Sequence, residues 1–321
     1  MYRIYGHEKM VSLFEKIIAA GKIANAYLYL GEEGLGKEFM AKYFAMMVNC
    51  RGNRKKPCYE CSSCIQMLSG NQPDIFIIKP VGNSIKVEEI RSKVIDKIYI
   101  KPYESNKKIF IIIEAEKMTQ QAQNCILKTL EEPSSYGLFI LTASKMEGLL
   151  PTVISRCSVI RFNRVDDVII KKYLEEEKKF LKEKAKEFIP VIQGNFGMAD
   201  KFSDLEYIKM REDLFKLLCQ IITQNKLEAL DSYQFFEENK NRINDILAIM
   251  MSYFRDIMVY KFTKEQELIR NKDIISDIEV MSQKLTGFRL NNIINGIENI
   301  NDNLKSNINF QLTIEDFLLN L

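Results

Sequence analysis

No apolar run in the sequence approaches the roughly 20 residues needed to span a bilayer, and the opening MYRIYGHEKM lacks the apolar core of a secretion signal. These absences lead to the expectation of a cytoplasmic protein. Histidine is nearly missing. The single one, His7, has no second histidine or candidate nucleophile beside it, so the sequence suggests no role for it. Charge of one sign is also scarce: a net +3 is too small to argue for a surface that grips duplex DNA. The basic run Arg51 to Lys56 reads as a solvated loop within reach of phosphate at most. No fixed-period repeat and no low-complexity segment occurs.

What is present is a globular chain, 46% hydrophobic and 321 residues long, enough for two or three domains. Residues 8 to 20 carry apolar positions at helical spacing and stop at Gly21, where a glycine can close a helix. Ala26 to Leu30 is a short apolar run that ends in GEEGLGKE, and Phe39 to Val48 resumes a helical pattern. Further strands are expected at Asp74 to Ile78, Lys108 to Ile113, Leu138 to Thr142 and Ser158 to Phe162, with helices near 87–98 and 118–131. Strands alternating with helices predict an α/β fold with a parallel sheet covered on both faces. Strand signals cease after about residue 163, and a composition shift at Asn163 to Asp167 marks a domain boundary. In the helical remainder, Ile243, Leu247, Met250, Phe254, Ile257 and Met258 recur at three- and four-residue steps, an apolar stripe meant for a core or a subunit interface.

Gly31, Gly36 and Lys37 fit the pattern G-x-x-x-x-G-K, with Gly34 inside it. Glycines let backbone N–H groups wrap a phosphate and the lysine adds a point charge. The next residue should be Ser or Thr to hold magnesium, and here it is Glu38. A carboxylate there removes the hydroxyl ligand and sets negative charge near the phosphates, worth about 4 kcal/mol for a pair ~4 Å apart at an effective dielectric of about 20. The second nucleotide element should be an apolar strand ending in an acid for the metal and an acid to activate water. Phe110 to Ile113 runs into Glu114-Ala115-Glu116. Glu114 can stand in for the metal-binding acid, but Ala115 can take no proton, so hydrolysis is expected to fail.

Cys50, Cys58, Cys61 and Cys64 lie within fifteen residues, whereas Cys125, Cys157 and Cys219 stand alone. In a reducing compartment such a cluster reads as metal ligands, and four thiolates close a tetrahedral structural site with no open position for water. Zinc is the expected ion, since nothing else here supplies the redox context of an iron–sulfur cluster; the alternative is four free thiols. Ser155-Arg156-Cys157 precedes the last strand at a plausible subunit edge. An arginine there suits a neighbour's γ-phosphate, but for the tripeptide taken alone a surface salt bridge is the default explanation.

Taken together, GEEGLGK, the cysteine insertion after its helix, NCILKTLEEPSS at 124–135 and LPTVISRC at 150–157 resemble the clamp-loader branch of the AAA+ family. The end of the chain, NLKSNINFQLTIEDFLLNL, is similar to the closing helix of that family's collar domain. Glu38, Glu114-Ala115 and Gly197, which stands in the stretch GNFGMADKF where an active ATPase offers an arginine, depart from the ATPase subunits. These departures resemble the family's non-hydrolysing delta-prime branch, a component of the DNA polymerase III holoenzyme. The resemblance implies a P-loop domain over 1–163 with an inserted zinc module (50–64), a helical lid over 164–205 and a helical collar over 206–321. It further implies a degenerate ATP site at Gly31, Gly34, Gly36, Lys37 and Glu114, zinc on the four cysteines, and Arg156 as an arginine finger in trans. The implied partners are clamp-loader ATPase (gamma/tau) subunits and a delta subunit in a hetero-oligomeric ring, with a sliding clamp and primer-template DNA through the complex. Two rival readings are an active clamp-loader ATPase of the gamma/tau type and a small-molecule P-loop kinase.

Overall fold

In the computed structural model, residues 3–53, 55–180, 182–223, 230–305 and 308–321 are described. The chain divides into two compact units, one running to Asp166 and including Asn195–Gly197, the other holding Asp167–Gly194 and Met198–Leu321.

The first unit alternates strands and helices as the sequence predicts. Its order is α1 (Glu8–Ala19), β1 (Ala26–Leu30), α2 (Lys37–Asn49), α3 (Ser62–Leu68), β2 (Ile75–Ile78), α4 (Val87–Ile90), α5 (Asp96–Ile98), β3 (Lys108–Ile112), α6 (Gln120–Glu131), β4 (Gly137–Ala143), α7 (Pro151–Ile154) and β5 (Ser158–Arg161). A π-helical turn, Arg91–Ile95, joins α4 to α5, so the predicted helix over 87–98 is present with a wider turn in its middle. The five strands form one parallel sheet in the order β2-β3-β4-β1-β5.

Strand geometry sends alternate side chains to opposite faces, and both faces are filled. Tyr27, Tyr29, Ile109, Ile111, Leu138 and Ile140 pack with Phe14 of α1 and Met40, Phe44 and Met47 of α2. Leu28, Leu30, Phe110, Ile112, Phe139 and Leu141 pack on the other face with Ile126 and Leu130 of α6. The near-continuous apolar strands in the sequence follow from this double burial. Helix α6 starts where Thr119 Oγ1 accepts the N–H of Ala122 at 3.2 Å, an N-cap that satisfies one orphan donor.

Among the described residues, the regular elements of the second unit are all helices, from Asp167–Glu176 to Phe310–Asn320. Its long helix Ile243–Thr263 carries the predicted apolar stripe: Leu247, Met250, Phe254 and Ile257 are buried, while Ile243 and Met258 are half-buried. The same helix also buries Asp256, which accepts the N–H groups of Arg270 (2.9 Å) and Asn271 (2.8 Å). Beside it, Arg211 is almost fully buried. Its guanidinium donates to both carboxylate oxygens of Asp273 and to Asn271 Oδ1, and it lies 5.2 Å from the Tyr253 ring centroid. A buried cation persists only with such pairing, and hydrophobic spacing gives no hint of it. Among the described residues, no helix is long and apolar enough to cross a membrane.

Candidate functional site

The glycine loop leaves the sheet at the carboxyl end of β1, between its neighbours: Gly31 N–H donates to Ala143 O at 3.1 Å, and Phe162 N–H donates to Leu30 O at 2.7 Å. A Cβ on Gly31 would sit 2.4 Å from Phe162 O, so only glycine passes here. Gly36 takes φ +83° as the cap of α2, a conformation that glycine adopts without strain. The loop thus points the N-terminus of α2 at the place a phosphate would occupy. Lys37 Nζ donates to Gly31 O (2.5 Å) and Glu32 O (2.6 Å), and burial lowers its pKa against the attraction of nearby acids, Glu116 foremost.

The tip of the loop is closed by residues far along the chain. Asn195 Nδ2 donates to Glu33 O at 2.7 Å, and Gly197 N–H donates to Gly34 O at 2.9 Å. A Cβ on Gly197 would lie 2.7 Å from Gly34 Cα, and one on Gly34 would lie 2.1 Å from Asn195 Oδ1. This packing leaves no room for any side chain at position 197, arginine included.

His7 lies behind the loop, with Nε2 2.8 Å from Leu35 O and its ring edge-on to Phe162 at 5.2 Å. No local pattern singles it out, because its partners are distant in the chain. Burial lowers its pKa, outweighing the Leu35 hydrogen bond and the Glu8 charge. The unfolded chain therefore takes up a proton below about pH 6.5 that the folded chain resists. Stability is expected to be full above that pH and to fall as pH drops toward the folded value. Urea midpoints measured between pH ~7.5 and ~6 should decline for the wild type and stay flatter for His7→Gln, since the chain has no other histidine; parallel slopes would contradict this.

The positions where magnesium chemistry is expected hold other arrangements. Burial acts to raise the Glu38 carboxyl, but hydrogen bonds from Lys42 (2.7 Å) and Lys79 (2.8 Å) overcome it and leave the pKa low. Glu38 is thus an ionised carboxylate held between two lysines. Glu114 sits in the left-handed region at φ +53° and pairs with Lys117. Ala115 is fully buried in the apolar layer on one face of the sheet, shut away from solvent. Glu116, which sequence reasoning passed over, accepts the Ser144 N–H at 2.8 Å and bonds the Ser144 hydroxyl.

The four cysteines come together as their spacing suggests, with all four Sγ atoms within 4.8 Å of one another. A tetrahedral ion with Zn–S of about 2.3 Å needs S–S edges of about 3.8 Å. Cys58 and Cys64 are 4.0 Å apart, so the cage fits a metal with small adjustment. Backbone N–H groups point at the sulfurs: Gly52 and Cys58 donate to Cys50 Sγ at 3.4 and 3.3 Å, and Cys61 donates to Cys58 Sγ at 3.3 Å. Such donors stabilise thiolate and orient ligands. Those of Glu60 and Cys61 pull the Cys58 thiol down to about 6, whereas burial pushes Cys50 and Cys64 up. Gly52 makes the turn possible, since a Cβ there would meet Cys58 Cβ at 2.8 Å. Arg54, within the basic run, lies outside the described residues.

Arg156 follows α7 and is about one-third exposed, its side chain bonded to Thr152 O at 2.8 Å and to the Glu131 carboxylate. Its free chain environment is therefore the surface salt bridge that the sequence allowed.

Comparison with known proteins adds to this geometry. The family described as DNA polymerase III, delta subunit, matches residues 6–166, and the one described as its C-terminal part matches residues 206–321. The delta-prime subunit of DNA polymerase III from Bacillus subtilis (strain 168) is 28% identical over 98% of this chain and 95% of that protein. The tau subunit from the same organism is 29% identical over 80% of this chain and 50% of its own length, so the chain spans about half of that relative. The solved structure of a DNA polymerase III gamma subunit-related protein from Thermotoga maritima aligns over 95% of this chain and 97% of that one, with a TM-score of 0.49 and 20% identity.

Proposed function

Because the chain belongs to the DNA polymerase III delta-subunit family, we propose that it serves as the delta-prime subunit of a bacterial clamp loader, a subunit that turns over no ATP itself. One observation carries the reading. The phosphate loop keeps Gly31, Gly34, Gly36 and Lys37, yet Gly197 is packed against Gly34 with no space for an arginine, and Ala115 stands where an acid would activate water. A cradle without a base or a lid arginine can hold a shape but cannot drive an in-line displacement.

In this reading residues 1–163 form the P-loop domain, 164–205 a lid and 206–321 a collar that joins neighbours into a ring. The partners are gamma/tau-type ATPase subunits and a delta subunit, and the ring works in the cytoplasm on a sliding clamp and primer-template DNA. Arg156 acts in trans on ATP held by the adjacent ATPase subunit. The cysteine cage holds zinc, whose part is to fix the turns of 50–64 and whose four thiolate ligands would leave it no site for substrate.

The test is magnesium-dependent ATP turnover by the purified chain alone, where none above background is expected. Turnover at rates of about 1 s⁻¹ or faster, within the ordinary range for enzymes, would favour an active ATPase instead. The observation on that side is Glu116, the acid whose charge acts most strongly on Lys37. In that case Glu116→Gln would abolish the activity.

A further inference from the structure

Arg156 is held on two sides by its own chain. One η nitrogen donates to the carbonyl of Thr152 in α7 at 2.8 Å, and the other meets the carboxylate of Glu131, the last residue of α6. Ser155 Oγ lies 3.4 Å from the first. A guanidinium has five N–H donors in a rigid fork. Three are taken by Thr152, Ser155 and Glu131, which leaves one donor on the second η nitrogen and the one on Nε for a ligand.

The elements that hold it are themselves fixed. Helix α6 ends at Glu131 because Pro133 forbids continuation, and its Ile126 and Leu130 are buried under the sheet. Pro151 opens α7, and Val153 of the same turn is fully buried. The Glu131 side chain is 48% exposed and that of Arg156 is 32% exposed, so the pair adds little to folding stability. A bond of such small structural value that nonetheless fixes a long, flexible cation is best placed to act on that cation's orientation.

We propose that Glu131 is a positioning residue for Arg156, holding its guanidinium in the orientation that meets a phosphate on a neighbouring subunit. The proposal rests on the reading of Arg156 as a finger in trans. Without the carboxylate the side chain samples other rotamers, and each encounter with the neighbour's nucleotide must pay to order it.

The experiment uses the ring reconstituted with its ATPase subunits and compares Glu131→Ala, Glu131→Gln, Glu131→Asp and Arg156→Ala. Removing Glu131 is expected to lower kcat about tenfold with the KM for ATP unchanged, because orientation is lost while the nucleotide site on the neighbour stays intact. Glu131→Asp keeps the charge and should recover part of the loss, whereas Glu131→Gln should resemble alanine. Ring assembly and the melting temperature of the free chain should match wild type in all of them, which separates positioning from a fold defect. If Arg156→Ala leaves turnover unchanged, the finger reading itself fails. If Arg156→Ala abolishes turnover while Glu131→Ala matches or exceeds wild type, the finger stands and the positioning role is overturned, a rise marking Glu131 as a latch that withholds the arginine.

Discussion

Arg156→Ala is expected to lower ATP turnover at the adjacent ATPase subunit's site by about 10³-fold or more, the range seen when arginine fingers are removed from other P-loop systems. The size follows from what the side chain would face. Charge spreads over the equatorial oxygens of the transferring phosphoryl group, and a planar, permanently charged fork in a water-poor interface matches it. Arg156→Lys should recover little, since an ammonium cannot make the paired contacts of a guanidinium fork. The chain itself should fold as wild type, because the residue is partly exposed and its ion pair with Glu131 is a surface one. The check is steady-state turnover alongside gel filtration of the ring. An assembled ring with undiminished turnover would remove the trans role and return Arg156 to an ordinary salt bridge.

How much of this was legible in the sequence depends on whether a feature is local. The phosphate loop was, because strand, glycines, lysine and helix are consecutive and their roles are set by spacing. The cysteine cage was legible for the same reason, and the five strands were betrayed by apolar runs of the right length between helical patterns. The closure of the loop was not. Asn195 reaches Glu33 across 162 positions, and no periodicity connects them. His7 looked featureless because its partner, Leu35 O, is a backbone atom, which carries no signature of residue type. Glu116 was passed over because the reading fixed on the two positions after the strand, whereas the left-handed turn at Glu114 brings the next acid to Ser144. Arg211 was hidden in the opposite way, as a charge in a region where lysine and glutamate are common on solvated faces. In each case the missing information was a long-range pairing rather than a local preference.

The other large effect is expected at the cysteines. Cys50 and Cys64 are buried within the layer that α2 and α3 form against the sheet, and Cys58 and Cys61 pack at its margin. A metal there would tie the end of α2 to the start of α3 from inside the core, rather than decorating a separate knuckle. Without it, burial pushes the Cys50 and Cys64 thiols up while backbone N–H groups draw Cys58 down to about 6. Elemental analysis is expected to find about one zinc per chain, as four-thiolate sites bind it. Cys64→Ser should release the metal and weaken the unit by several kcal/mol, up to the order of 10 kcal/mol that structural zinc supplies to small folds. Hydrogen exchange should then rise first across residues 50–68 and spread into α2, whose buried Met46 and Met47 share this layer. Cys125→Ser, remote from the cage, should keep both zinc and the urea midpoint. A metal-free preparation with the wild-type midpoint and undisturbed exchange would show instead that four packed thiols suffice, and that the N–H groups aimed at Cys50 and Cys58 serve only to shape the turn.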